Sequence, residues 1–249
     1  MALWEELFLK EARSWVFQEA DPHDIAEYIL VGLGVNLDSL IQQLEERKQV
    51  GTLFTGTINN VEISVTHRPG GALQVESLIR VLPMTKAQYV IGIGAAGGLQ
   101  EEVEIGNIIL PDAAVRGESL TNYYYPPDIP AVPDHDVLGA LVQAARRIGG
   151  PYHSGLVWSV ASQLHETEDM IQRWQRLGIL GVECETAALF LLSRFCGLKA
   201  GVVLAVSDSP LKKQSHEFGE EFDIRWKEGL ARAVQIAVNA VKALHEKRS

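Results

Sequence analysis

Cys184 and Cys196 are the only cysteines in 249 residues. Two are too few for a disulfide framework, and no Cys/His cluster has the spacing of a zinc site. Basic charge is also scarce. Lys and Arg total 22 against 32 Asp and Glu, a formal net charge of -10. That balance excludes broad binding to DNA, RNA or an anionic membrane and leaves room only for a local basic pocket. No apolar run reaches membrane-spanning length. The opening "MALWEELFLKEARSW" lacks the basic-then-apolar order of a signal peptide, because Glu5, Glu6 and Glu11 interrupt its apolar residues. It reads instead as an amphipathic helix, and the chain as a cytoplasmic soluble protein.

What is present is ordinary globular material, 47% hydrophobic and 22% charged. Strand-like and helix-like runs alternate. "EYILVGLGV", "VEISVTH", "QYVIGIGAA", "IGNIILPDAAV", "SGLVWSVAS" and "KAGVVLAVSD" predict strands. "GALQVESLIRVL", "VLGALVQAARRIG", "TEDMIQRWQRLG", "ETAALFLLSRFCG" and the closing "DIRWKEGLARAVQIAVNAVKALHEK" predict helices, with Gly197 at a helix stop. The expectation is an α/β fold with a mostly parallel central mixed sheet flanked by helices. We read one domain over residues 1–249, with residues 1–24 as a helical extension. The Pro- and Tyr-rich "TNYYYPPDIPAVPDHD" is the longest irregular stretch and reads as a surface loop able to cover a pocket.

One more absence concerns the clearest motif. In "YVIGIGAAGGLQ" a strand-like run enters five small residues, Gly94, Ala95, Ala96, Gly97 and Gly98, without one Lys or Arg. Small residues let a ligand approach the backbone and often mark a phosphate loop.

Two carboxylate features carry candidate chemistry. Glu183 and Glu185 flank Cys184 where a strand-like segment enters a helix. One of them can project into a cleft and accept both hydroxyls of a ribose, or both can simply complement the helix N-terminus. Asp208 follows a buried strand in "VVLAVSDSP", where parallel sheets gather ligands. It can be an acid of raised pKa or a cap for the turn at Ser209 and Pro210. His67 and Arg68 precede a Gly-bearing turn into a helix, a place for an anion. His165 and His216 read as surface residues, and the two cysteines as core residues rather than nucleophiles.

Together these motifs resemble the nucleoside phosphorylase superfamily, which includes purine nucleoside phosphorylase, uridine phosphorylase and the methylthioadenosine/adenosylhomocysteine nucleosidases. "GTLFTGTINNVEISVT" is similar to its hairpin and "GIGAAGGLQEEVEIGNIILPDAAV" to its glycine loop and following strand. "SLTNYYYPPDIPAV" resembles its active-site cover, and "GILGVECETAALF" with "GLKAGVVLAVSD" its "GVEMEAA" helix and "VSD" strand end. The match runs from about Tyr28 to the C-terminus.

The resemblance implies cleavage of the N-glycosidic bond of nucleosides. Asp208 would be the catalytic acid at N7 of a purine. Glu185 would anchor the ribose with Glu183 nearby, and Cys184 would replace a Met that packs on the sugar. Gly94, Ala95, Ala96, Gly97, Gly70 and Arg68 would surround the nucleophile, while Val182, Ser162 and Gln163 would line the base pocket. Because uridine phosphorylases generally lack the Asp, "SDSP" tilts the expected substrate towards purines. Phosphate would be co-substrate, with no metal and no organic cofactor, and the protein a homo-oligomer, dimer or hexamer.

The family's phosphate ligands are replaced: Leu37, Gly92 and Gln49 stand near its arginine positions and Ala95 at its hydroxyl. Arg68, or Lys48 from a neighbouring subunit, could substitute. Hydrolysis of the nucleosidase type and a non-catalytic nucleoside-binding relative are the alternatives.

Overall fold

The alternation folds as seven α-helices and ten strands among the described residues, and the computed structural model describes residues 3–68 and 70–248. In chain order these are α1 (Leu3–Phe17), β1 (Tyr28–Leu33), α2 (Asp38–Gln42), β2 (Glu45–Val50), β3 (Leu53–Ile58), β4 (Val61–Arg68), α3 (Ala72–Ile79) and β5 (Tyr89–Gly98). Then follow β6 (Ile108–Gly117), α4 (His135–Ile148), β7 (Tyr152–Val160), α5 (Glu168–Arg176), β8 (Gly181–Glu183), α6 (Thr186–Phe195), β9 (Lys199–Ser209), β10 (Gln214–Ser215) and α7 (Glu220–Glu246).

All ten strands join one sheet in the order β10-β9-β6-β7-β8-β5-β1-β4-β3-β2, and β9 also pairs with β5. That extra pairing curls β5, β9, β6, β7 and β8 into a closed ring. The run β4-β1-β5-β9 and the run β6-β7-β8 are parallel. Antiparallel pairs occur at the margins and where the ring closes, at β6–β9 and β5–β8.

Alternation along β1 shows how the sheet is sandwiched. Ile29, Val31 and Leu33 join a core layer shared with α1, α3 and α6. Tyr28 and Leu30 join the opposite layer, under α2, α4 and α7. Successive strand residues face opposite sides, so a strand buried on both faces reads as a continuous apolar run. Each fully buried Leu, Ile or Val contributes about 1.5–3 kcal/mol. The extension α1 joins this core through Ala12, Val16 and Phe17. No helix among the described residues is long and apolar enough to cross a membrane.

Local chemistry sets the connections. The β3–β4 hairpin turns on Asn59 and Asn60, at φ 50° and 61°, the left-handed pair of a two-residue turn that matches strand twist. Asp134 caps α4 by accepting from the N–H groups of Asp136 and Val137 at 3.0 and 3.2 Å. Gly197, at φ 73°, ends α6 as expected.

Two expectations need correction. Residues 94–98 are not a loop: β5 continues through Gly98, paired with β9 and then with β8. β9 on one side, and β1 then β8 on the other, supply ladder partners, so the segment keeps extended structure. The charged β2 was also missed. It is an edge strand, mostly exposed, with a bulge between Glu45 and Lys48, and such strands carry no apolar alternation.

Candidate active site

The carboxyl ends of β1, β5, β7 and β9 surround a cavity of about 740 Å³, closed by the starts of α3 and α6. Its wall includes Gly70, Ala95, Ala96, Gly97, Gln163, Val182, Glu183, Cys184, Glu185 and Asp208. Of the remaining residues expected here, Gly94, Ser162 and Arg68 are not on that wall. Gly94 is buried one step back in β5 and Ser162 is exposed.

Asp208 reaches the cavity through an irregularity in β9. Ala96 pairs with Val206 but Gly97 pairs with Asp208, so Ser207 is the extra residue of a bulge. A bulge bends the strand and re-aims the side chains beyond it. Ser207 Oγ donates to Asp208 Oδ1 at 2.6 Å. A Cβ on Gly97 would lie 3.0 Å from Asp208 Oδ2 and from Pro210 Cγ, so a side chain here would push on this carboxyl and on the turn behind it. Burial raises the Asp208 pKa, while the Ser207 hydrogen bond and the charge of His216 oppose the rise. His216 is therefore not a free surface histidine. Its Nδ1 is 3.1 Å from the Ser207 carbonyl, and its ring lies 5.4 Å from that of Trp226, tilted by 40°.

The two glutamates around Cys184 separate in role. Glu183 is 5% exposed, and its oxygens are committed to protein donors. Ser159 Oγ donates to one; the Glu185 and Thr186 N–H groups donate to the other at 2.8 and 2.6 Å. It satisfies the open N–H groups of α6, the helix-terminus reading of the sequence. Glu185 instead leans across the cavity, where the Gly71 N–H donates to its Oε1. Gly71 adopts φ 109°, which favours glycine. Burial, then the charge of Glu183, pushes the Glu185 pKa up to about 7. Cys184 lines the cavity with its thiol pKa raised to about 12, chiefly by burial. It is no nucleophile at neutral pH.

Two cavity carboxylates escaped the sequence reading. Glu166 follows a 3-10 turn, and burial together with the charge of Asp208 raises its pKa to about 7. Glu118 is 6% exposed. Thr121 Oγ1 donates to its Oε1 at 2.5 Å, and its Oε2 is buried without a partner among the described residues. Neither sits in a recognisable motif; only the folded chain brings them together.

Glu118 stands just before the Pro- and Tyr-rich cover, which is packed rather than loose. Arg116 ties it together by donating to Thr121 Oγ1, Asn122 Oδ1 and the carbonyls of Tyr125, Pro126 and Ile129. Tyr124 sets its ring edge on Phe195 at 5.0 Å, and Leu120 reaches the cavity wall.

The wall thus carries Glu118, Glu166, Glu183, Glu185 and Asp208, and no Lys, Arg or His. Within this chain no side-chain cation reaches the cavity from the expected positions either. A Cβ on Gly92 would meet Leu33 Cδ1 at 2.7 Å and Leu189 Cδ2 at 2.9 Å. Leu37 is fully buried in the core. Gln49 donates to the Gly51 carbonyl at 3.0 Å, and Lys48 pairs with Asp24 of its own chain.

Comparison with known proteins identifies the family. The phosphorylase superfamily pattern matches residues 28–242. A guanosine phosphorylase of Halorubrum lacusprofundi is 29% identical over 238 residues, covering 91% of this chain and 96% of that one. A uridine phosphorylase of Thermococcus kodakarensis is 30% identical over 244 residues, covering 90% and 84%. The solved uridine phosphorylase of Vibrio fischeri superposes with a TM-score of 0.82 at 22% identity, over 94% of this chain and 98% of that one. The last shows the shared fold.

Proposed function

This chain belongs to the phosphorylase superfamily, and we propose that it cleaves the N-glycosidic bond of purine nucleosides by phosphorolysis. The observation that carries this reading is Asp208, raised in pKa and lifted into the cavity by the Ser207 bulge, in the same cavity as Glu185.

In the reaction, the C1′–N9 bond breaks with its electron pair moving into the base. Asp208 gives its proton to N7, which removes charge from the leaving group. A phosphate oxygen forms the new bond to C1′, giving ribose 1-phosphate. Glu185 accepts from the ribose 2′- and 3′-hydroxyls, an acceptor-only task suited to a carboxylate. Cys184 packs against the sugar, while Val182 and Gln163 face the base. Glu183 holds α6 and, through it, Glu185. The raised pKa of Glu166 keeps a proton beside Asp208 up to near neutral pH, and that O–H suits an acceptor atom on the base.

The names of the relatives divide between purine and pyrimidine substrates, and the acid at Asp208 favours the purine side. The expected assembly is a homo-oligomer, with exposed Trp4, Phe8 and Trp15 on α1 offering apolar surface for a second copy.

Guanosine, inosine, adenosine and uridine should be tested with and without phosphate, with products identified by mass. Phosphate-dependent release of ribose 1-phosphate from purine nucleosides is the expected result. Free ribose at a rate indifferent to phosphate would establish hydrolysis instead, and a preference for uridine would overturn the purine assignment.

A further inference from the structure

We propose that Arg68 is the oxyanion ligand of this site, taking inorganic phosphate at the carboxyl ends of β1 and β5. The inference rests on the phosphorolytic reading and supplies the cation that reading requires.

Its first support is position. Leu33 of β1 pairs with Arg68 on one side and with Gly94 on the other, so the three form one row across neighbouring parallel strands. Paired residues face the same side of a sheet, and neighbouring strands lie about 4.8 Å apart. Leu33 belongs to the layer beneath α3 and α6, which close the cavity. The residues that bracket Arg68 line it: Leu33, Gly34 and Gly70 are all on the wall. The Gly34 N–H donates to the Arg68 carbonyl at 3.0 Å, and Arg68 precedes Pro69, which holds it extended.

The second support is an unsatisfied charge. Nε and Nη2 of Arg68 are buried without a hydrogen-bond partner among the described residues. Burial also lowers the Arg68 pKa, although a guanidinium stays protonated at neutral pH. Arg68 as a whole is only part-buried, but buried donors left without acceptors are costly, and such a group calls for an explanation such as a ligand or ion that completes it. A planar guanidinium presents parallel donors that match phosphate oxygens.

The other nearby cations are already engaged. Lys213 and His216 line an adjoining cavity that shares Gly34, Ala95 and Asp208 with the first. The Lys213 side chain is 81% exposed and lies 3.9 Å from Glu168, and His216 contacts the Ser207 carbonyl.

The test titrates inorganic phosphate against the full-length protein, reading melting temperature and, separately, the phosphate KM in purine nucleoside turnover. Wild type should be stabilised by phosphate. Arg68→Ala should lose that stabilisation and raise the phosphate KM about tenfold or more, and Arg68→Lys should recover part of it, as a point charge lacking the fork. If Arg68→Ala fails to fold, Arg68→Lys and Arg68→Gln carry the same comparison, with Gln expected to behave as Ala. An unchanged KM with retained stabilisation overturns the assignment to Arg68 while leaving phosphorolysis intact. Phosphate-indifferent release of free ribose by wild type overturns phosphorolysis. The melting curves then judge Arg68 separately, and absence of any phosphate stabilisation in wild type overturns the proposal.

Discussion

The end of the cavity formed by β9 and α6 is crowded with ionisable groups whose oxygens are held by neighbours. Ser207 donates to Asp208, Gly71 to Glu185, and Ser159 with two helix N–H groups to Glu183. The end formed by β1 and β5 is nearly bare. Ala95, Ala96 and Gly97 offer backbone and little else, and Arg68 is in strand register with Leu33 of the wall. Pre-positioned carboxylates favour one orientation of a neutral substrate, because their hydrogen bonds are already set. A bare backbone beside a part-buried guanidinium with two open donors leaves hydrogen bonds for a ligand to make. The first end is specified by the protein alone; on the proposal made above, the second is completed by an anion.

Breaking the first end should have the largest effect. Asp208→Asn keeps the shape and removes the transferable proton, so kcat should fall by about 10²–10⁴. The phosphate KM should stay within about threefold, since the acid is not on the anion side. Steady-state kinetics with both substrates varied gives both numbers, and a large rise in phosphate KM would merge the two ends into one.

Glu185→Gln should act next. Losing charge-assisted bonds to the sugar costs about 1.5–3 kcal/mol, between about ten- and a hundredfold in kcat/KM. The sharper readout is the ratio of riboside to 2′-deoxyriboside turnover, which should shrink in the variant. A preserved ratio would remove Glu185 from the sugar.

The smallest effect concerns pH. Glu166 and Glu185 have folded-state pKa values of about 7, above the ordinary value of 4.5. In that interval the folded protein holds more protons than the unfolded chain, so stability falls as pH rises. The contribution is full below about 4.5 and gone above about 7. The melting temperature without ligand should therefore drop between pH 5 and pH 8, and Glu166→Gln should flatten the drop. An unchanged drop would mean that Glu166 does not share the site's charge with Asp208.

Much of the fold was legible because buried parallel strands are apolar on both faces. β1, β5 and β9 announce themselves as continuous runs, and α6 by its apolar length. The charged edge strand β2 carried no such pattern. At the site, Asp208, Glu185 and Cys184 were legible because each ends or follows a strand run. Glu118 and Glu166 were not, since their segments are irregular and polar. Ser162 was misplaced for the same reason: a coil residue next to a cavity residue has no period to say which way it faces.

By itself the sequence determined the α/β layering, the acid at a strand end and the absence of the usual cations, because burial and charge are properties of residue type and spacing. Only the tertiary structure decided that Glu183 serves the helix while Glu185 crosses the cavity, that the Ser207 bulge aims Asp208, and that Nε and Nη2 of Arg68 are buried without a partner among the described residues. Each depends on which strand lies beside which, and strand pairing joins residues too far apart in the chain for local pattern to record.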